Sequence, residues 1–236
     1  AVRASSRVLS IRGRVLPATL DDMKLVAEME DGRIIHGEST IPEAHGRIKR
    51  LFTEPANCKA LPDVIQAIRN AELIVLGPGS LYTSVIPNLL VKEIAQEIAK
   101  SKAKKIYVCN IMTQPGETDN YKVSDHLKAL IQHAGSNKIV DAVLVNDYLP
   151  EKLADKYQKS NSYPVKLDIA EVKKMGIRVY AQKLIEDSKE GLVRHSSNRV
   201  ARALYYWFRK SQNSFFIFSK FTALFNNLFM SEMNTI

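Results

Sequence analysis

The chain has 236 residues, of which 45% are hydrophobic and 25% charged, and a formal net charge of +9. That length suits one large α/β domain or two small ones, and the composition excludes global disorder. The cysteines, Cys58 and Cys109, are too few for a disulfide framework, and no apolar run reaches the roughly 20 residues that span a bilayer.

The first ten residues contain arginines but no apolar block of a secretory leader, so a cytoplasmic, reducing location is expected. Residues 7–16 alternate with period two and predict a strand. The Asp31-Gly32 dipeptide predicts a hairpin joining strands 25–29 and 33–37, with a further strand at 47–53. Residues 1–55 therefore read as a small antiparallel β unit.

From residue 56 the pattern changes. Pro62 opens a helix with Val64, Ile65 and Ile68 on one face. The run LIVL at 73–76 reads as a strand buried on both sides. A helix at 87–100, a strand at 105–110, a loop at 111–120 and a helix at 124–134 follow. Next come a strand at 142–145, a helix at 150–159, a strand at 164–167 and a short helix at 169–174. Short strands at 177–181 and 191–194 and a helix at 198–208 complete the pattern. This alternation predicts an α/β, Rossmann-like fold over residues 1–210: a mostly parallel sheet with helices on both faces, and the β unit beside it.

Residues 211–236 hold six of the eight phenylalanines. Phe218, Phe221, Phe225 and Phe229 share a helical face, which fits an amphipathic surface anchor, a core-packing helix or non-native sequence. Membrane contact is the less expected of these. Five basic residues and no acid lie between Arg194 and Lys210, which fits a phosphate-bearing ligand or a solvated helix face.

Three segments can carry chemistry. In LIVLGPGSLYTS, a buried strand delivers Gly77, Pro78 and Gly79 at its carboxyl end, where open α/β sheets bind ligands. Backbone amides there can face a phosphate, and Ser80, Tyr82, Thr83 and Ser84 add neutral hydroxyls. No lysine follows the last glycine, so this is not a Walker A loop. Asn110 ends the next strand on the same rim, followed by Thr113, Gln114, Glu117, Thr118 and Asp119. The two acids could hold Mg2+, and scattered acids point only weakly to a metal. Arg194 joins a short strand to a helix, where a guanidinium can clamp a phosphate, and Ser196 or Ser197 would cap that helix. The histidines have no metal-ligand spacing, so no metal site is expected, and no basic-aromatic module points to nucleic acid.

The blocks VRASSRVLSIRGRVLPAT, GRIIHGESTIP, LIVLGPGSLYTSVIPNLLV and YVCNIMTQPGETDNYKVSDHL resemble the bacterial gluconeogenesis factor (YvcK) family over residues 2–204. That family belongs to the CofD-like superfamily, which includes 2-phospho-L-lactate transferase. The resemblance implies a binder of UDP-sugars such as UDP-N-acetylglucosamine, needed for cell shape and wall synthesis on gluconeogenic carbon. It places Gly77, Pro78, Gly79, Ser80, Leu81, Tyr82, Thr83 and Asn110 along the nucleotide. Arg194 falls in a short Arg-His motif that contributes to binding, and Tyr157 is a further contact. It also implies Ser196 or Ser197 as a target of a Ser/Thr kinase. Relative to the family, the chain is expected to lack a preceding strand and glycine-rich loop, and residues after 210 match nothing in the pattern. A non-catalytic regulatory binder is expected, with homo-oligomerisation open. The competing reading is a CofD-type phosphotransferase, which would use Mg2+.

Overall fold

The computed structural model describes residues 13–186 and 193–212. In the first part, β1 (Lys24–Met29) lies between β2 (Ile34–His36) and β3 (Ile48–Glu54) in an antiparallel sheet. Val26 pairs with His36 on one side and Phe52 on the other. The β1–β2 link turns at Gly32, where φ is +87° and the Asp31 carboxylate accepts the Arg33 backbone N–H at 3.1 Å. Helix α1 (Thr40–Glu43) fills the β2–β3 link.

The second sheet is wholly parallel, in the order β4 (Leu73–Leu76), β5 (Lys104–Val108), β6 (Ala142–Asn146), β7 (Arg178–Gln182). Residues 106–108 of β5 and 142–145 of β6 are apolar without alternation because both of their faces are buried. On one face, Val64, Ile65 and Ile68 of α2 (Pro62–Arg69) pack toward the core. They join α3 (Ile86–Leu90), α4 (Lys92–Lys100) and α5 (Val123–Ala134) there. On the other, Val200, Ala203, Trp207 and Phe208 of α8 (Ser197–Ser211) cover Ile106, Val108, Ala142 and Leu144. Helices α6 (Glu151–Gln158) and α7 (Ile169–Lys174) lie in the β6–β7 crossover. The expected Rossmann-like sheet with helices on both faces is thus present.

Both sheets share one core: Leu25, Met29 and Leu51 cluster with Leu76, Tyr107 and Leu127. Each fully buried side chain of this size contributes about 1.5–3 kcal/mol. His133 on α5 ties the sheets together, accepting the Leu51 backbone N–H on Nε2 at 2.8 Å. Its Nδ1 must then donate to the Ala129 carbonyl at 2.7 Å, which fixes a neutral ring.

Five segments differ from their sequence expectation. The LIVL strand is not buried on both sides: β4 is an edge of the parallel sheet, and Val75 is 36% exposed. Residues 13–16 form no strand, and the rest of the 7–16 segment lies outside the described residues. The stretch at 164–167 pairs only through isolated bridges, Met112 with Pro164 and Lys122 with Lys166. Pro164 has no N–H to extend a ladder. The expected helix at 87–100 breaks at Val91, whose ψ of 98° lets the chain turn and bury Leu89, Val91 and Ile94 together. Residues 193 and 194 form no strand, and 191–192 and the phenylalanine-rich 213–236 lie outside the described residues. Among the described residues, no helix is long and apolar enough to cross a membrane.

Burial holds the His126 and His133 imidazoles below their usual pKa. In the unfolded chain they take up protons near pH 6.5, so the unfolded state binds more protons below that value. Stability is therefore expected to be complete above pH 6.5 and to fall as pH drops through it. Urea midpoints at pH 7.5 and 6.0 test this: a lower midpoint at 6.0 is expected, flattened in His133→Gln, whose carbonyl accepts without titrating. An unchanged or higher midpoint at pH 6.0 contradicts it.

Candidate functional site

The carboxyl ends of β4 and β5 open onto a cavity of about 860 Å³. Its floor is the loop after β4. Gly77 has φ +79°, and a Cβ there would lie 3.1 Å from the Val108 carbonyl, so the turn requires glycine. Pro78, Gly79, Ser80 and Thr83 line the cavity, whereas Leu81 and Tyr82 are buried in the core. After Ser80 the chain enters a π-helical turn, Leu81–Val85, in which Ser84 and Val85 both donate to the Ser80 carbonyl. Such turns are frequent at functional sites. The backbone N–H groups of Gly79 and Ser80 donate to nothing among the described residues.

Asn110 follows β5 and stands on the same rim. Its amide donates to the Gly79 carbonyl at 3.1 Å and to Gln114 at 3.2 Å, and Gln114 donates to Ser80 Oγ at 2.7 Å. This chain of bonds locks the two strand-end loops to each other. The start of the second loop is pinned too, with Thr113 exchanging backbone and side-chain bonds with Tyr163 and Ser162.

The opposite wall is the segment before α8. Arg194 lines the cavity, is exposed, and has no ion-pair partner among the described residues. Tyr157 at the end of α6 also lines it and accepts the Val193 backbone N–H on its phenol at 2.9 Å, which holds the residue before Arg194. His195 lines the cavity beside it, and its Nε2 is buried without a partner among the described residues. Burial keeps this imidazole below its usual pKa, against a bond to the Cys109 backbone that raises it. Ser196 is the N-cap residue of α8 but makes no capping bond through its side chain, and Ser197 is exposed.

Glu117 and Asp119 play separate parts. Glu117 is only 4% exposed and accepts from Thr83 Oγ1 at 2.9 Å and the Tyr82 N–H at 3.3 Å. Burial pushes its carboxyl above the usual range. Asp119 accepts the Gly116 N–H at 2.8 Å and does not line this cavity. Glu117 has both oxygens taken by protein donors and Asp119 stands off the cavity, so the two acids do not form a paired Mg2+ site there. No group of three or more His, Cys, Asp or Glu side chains is placed for a metal among the described residues. Cys109 is buried, and its thiol is pushed up by burial, which makes it an inert core residue.

Sequence reading singled out both loops and Arg194 but not Gln114 as the link between them, nor His195 in the wall. The position of His195 next to Arg194, at a strand-to-helix join, was the available signal.

A parallel α/β sheet with helices on both faces and polar loops at the carboxyl ends of its strands defines a Rossmann-like fold. The family profile of 2-phospho-L-lactate transferase CofD matches residues 1–185, and the chain belongs to this family. It is 49% identical over 205 residues to the gluconeogenesis factor of Bacillus subtilis, covering 86% of this chain and 64% of that protein. It is also 49% identical over 209 residues to a putative gluconeogenesis factor of a Nostoc species, covering 88% of this chain and 46% of that one. A crystal structure of a UPF0052-family protein from Bacillus halodurans superposes with a TM-score of 0.80 at 44% identity, covering 86% of this chain and 64% of that one. The chain thus spans about half to two thirds of the length of these relatives.

Proposed function

We propose that the protein binds a nucleotide-sugar, with UDP-N-acetylglucosamine the first ligand to test, as a regulatory gluconeogenesis factor. Its role would lie in cell shape and wall synthesis during growth on gluconeogenic carbon. One observation carries the binding reading: the N–H groups of Gly79 and Ser80 and the Arg194 guanidinium, which lack partners among the described residues, lie on one cavity. Amide donors and a guanidinium are the groups that hold a diphosphate. Asn110, Gln114 and Ser80 offer hydroxyl and amide groups beside it for a ribose or base. The gluconeogenesis-factor names of the relatives support the role.

The phosphotransferase reading rests on the description of the matching family. It needs a group to neutralise charge at the reacting phosphate, and Glu117 is taken up by Thr83 and Tyr82.

Isothermal titration tests the binding reading. Saturable heat with UDP-N-acetylglucosamine, and none with free N-acetylglucosamine, is expected. No heat at millimolar nucleotide-sugar with folded protein contradicts it, and turnover of the ligand seen by mass spectrometry would favour the transferase.

Tyr157→Phe probes the wall. Losing the acceptor for Val193 should free the Arg194 segment and weaken the nucleotide-sugar by about 0.5–1.5 kcal/mol, with little change in melting temperature. Unchanged affinity would remove Tyr157 from the site.

A further inference from the structure

At the amino ends of the parallel strands, the opposite end of the sheet from the first cavity, lies a separate cavity of about 690 Å³. It is lined by Lys105 at the start of β5, Lys138 in the 3-10 turn Asn137–Ile139, Asp141 before β6 and Arg178 at the start of β7.

Asp141 fixes the backbone of this end. Its carboxylate accepts the Lys105 backbone N–H at 2.8 Å, and its own N–H donates to the Lys105 carbonyl at 2.9 Å. Its carbonyl accepts the Arg178 N–H at 3.1 Å. The Arg178 guanidinium stands 5.8 Å from the centre of the Trp207 ring, a cation–π contact that restrains it at the wall.

Lys105 is the unexpected member. It is only 6% exposed, on a strand that lies between β4 and β6. Its ammonium donates to the Ser101 and Ala103 carbonyls at 2.8 and 3.1 Å and forms no ion pair among the described residues. An ammonium has three N–H donors, so one is left without a partner there. Burying a charge that no opposite charge balances is costly, and a methionine would fill the same space without that cost. Two acids on neighbouring helices are already taken: Glu97 of α4 pairs with Arg69 and Lys100, and Glu171 of α7 with Lys174.

Three cations against one carboxylate leave two positive charges on the wall. A phosphate dianion matches that number, whereas a single carboxylate would neutralise half of it. Ammonium and guanidinium groups are also the side chains that bind phosphate most strongly.

We propose that this cavity binds a phosphate dianion, free or carried as the phosphomonoester of a small molecule. The site is distinct from the first cavity, and the inference stands apart from the nucleotide-sugar reading.

The test titrates inorganic phosphate and glycerol 3-phosphate at about pH 8, where both are dianions, against NaCl of matched ionic strength. Amide NMR shifts at Asp141 and at residues 176–178 report the site. Saturable shifts beyond those with NaCl are expected. Tighter binding of the ester identifies a phosphomonoester site, and tighter binding of the inorganic ion a site for phosphate itself. Lys138→Gln/Arg178→Gln, at exposed positions, should lose about tenfold or more in affinity, while Arg194→Ala in the first cavity should bind both probes as wild type does. Lys105→Met should lose affinity without a drop in melting temperature. Shifts no larger than those with NaCl, unchanged affinity in the double variant, or a loss in Arg194→Ala instead, would each overturn the site. A Lys105→Met protein that melts lower but keeps its phosphate affinity would make Lys105 only a cap on the end of α4.

Discussion

Arg194→Ala is expected to weaken UDP-N-acetylglucosamine by about 1.5–3 kcal/mol, roughly 10- to 150-fold, the scale of a charge-assisted hydrogen bond. The side chain is exposed on the cavity wall and pairs with no acid among the described residues. Its removal therefore leaves no buried charge uncompensated, and the melting temperature should stay where it is. Arg194→Lys should recover only part of the loss, because an ammonium cannot match two phosphate oxygens at once. Titration of the three proteins decides it. Equal affinities would take Arg194 out of the site, and a large drop in melting temperature would make it a structural residue instead.

Gly116→Ala should have the largest effect on stability. Gly116 has φ +80°, which already costs an alanine about 1–2 kcal/mol. A Cβ there would also stand 2.0 Å from the Pro42 carbonyl oxygen, a backbone atom that cannot swing aside. The loop after β5 must then part from α1, and we expect a total loss of about 2–4 kcal/mol. The same loop carries Gln114 and Glu117, so binding of the nucleotide-sugar should fall together with the denaturation midpoint. An alanine variant with the wild-type midpoint would mean that the β unit and the loop are not held together as described.

Much of the fold was legible because its signals are local. The strands alternate with amphipathic helices, which marks a parallel sheet, and residues 106–108 of β5 and 142–145 of β6 are unbroken apolar runs. Asp31-Gly32 marks its own turn. The segment at 164–167 misled because apolar residues beside a proline resemble an edge strand, while ladder pairing depends on a neighbour that the sequence does not reveal. The site divides in the same way. Gly77, Gly79 and Asn110 were readable because the carboxyl end of a strand is a local feature. The bond network that joins the two loops was not, because Asn110, Gln114 and Ser80 come together only in the folded sheet. The joint between the sheets is equally hidden: the Leu51–His133 bond spans 82 residues of chain. Glu117 drew attention as an acid for a metal, and only its bonds to Tyr82 and Thr83 reveal a carboxylate that braces the first loop.

The central claim is the placement of the ligand, and a crystal structure of the protein with UDP-N-acetylglucosamine tests it most directly. The diphosphate should lie within hydrogen-bond distance of the Gly79 and Ser80 backbone N–H groups and of the Arg194 guanidinium. A nucleotide bound elsewhere, with the loop after β4 untouched, would contradict the account.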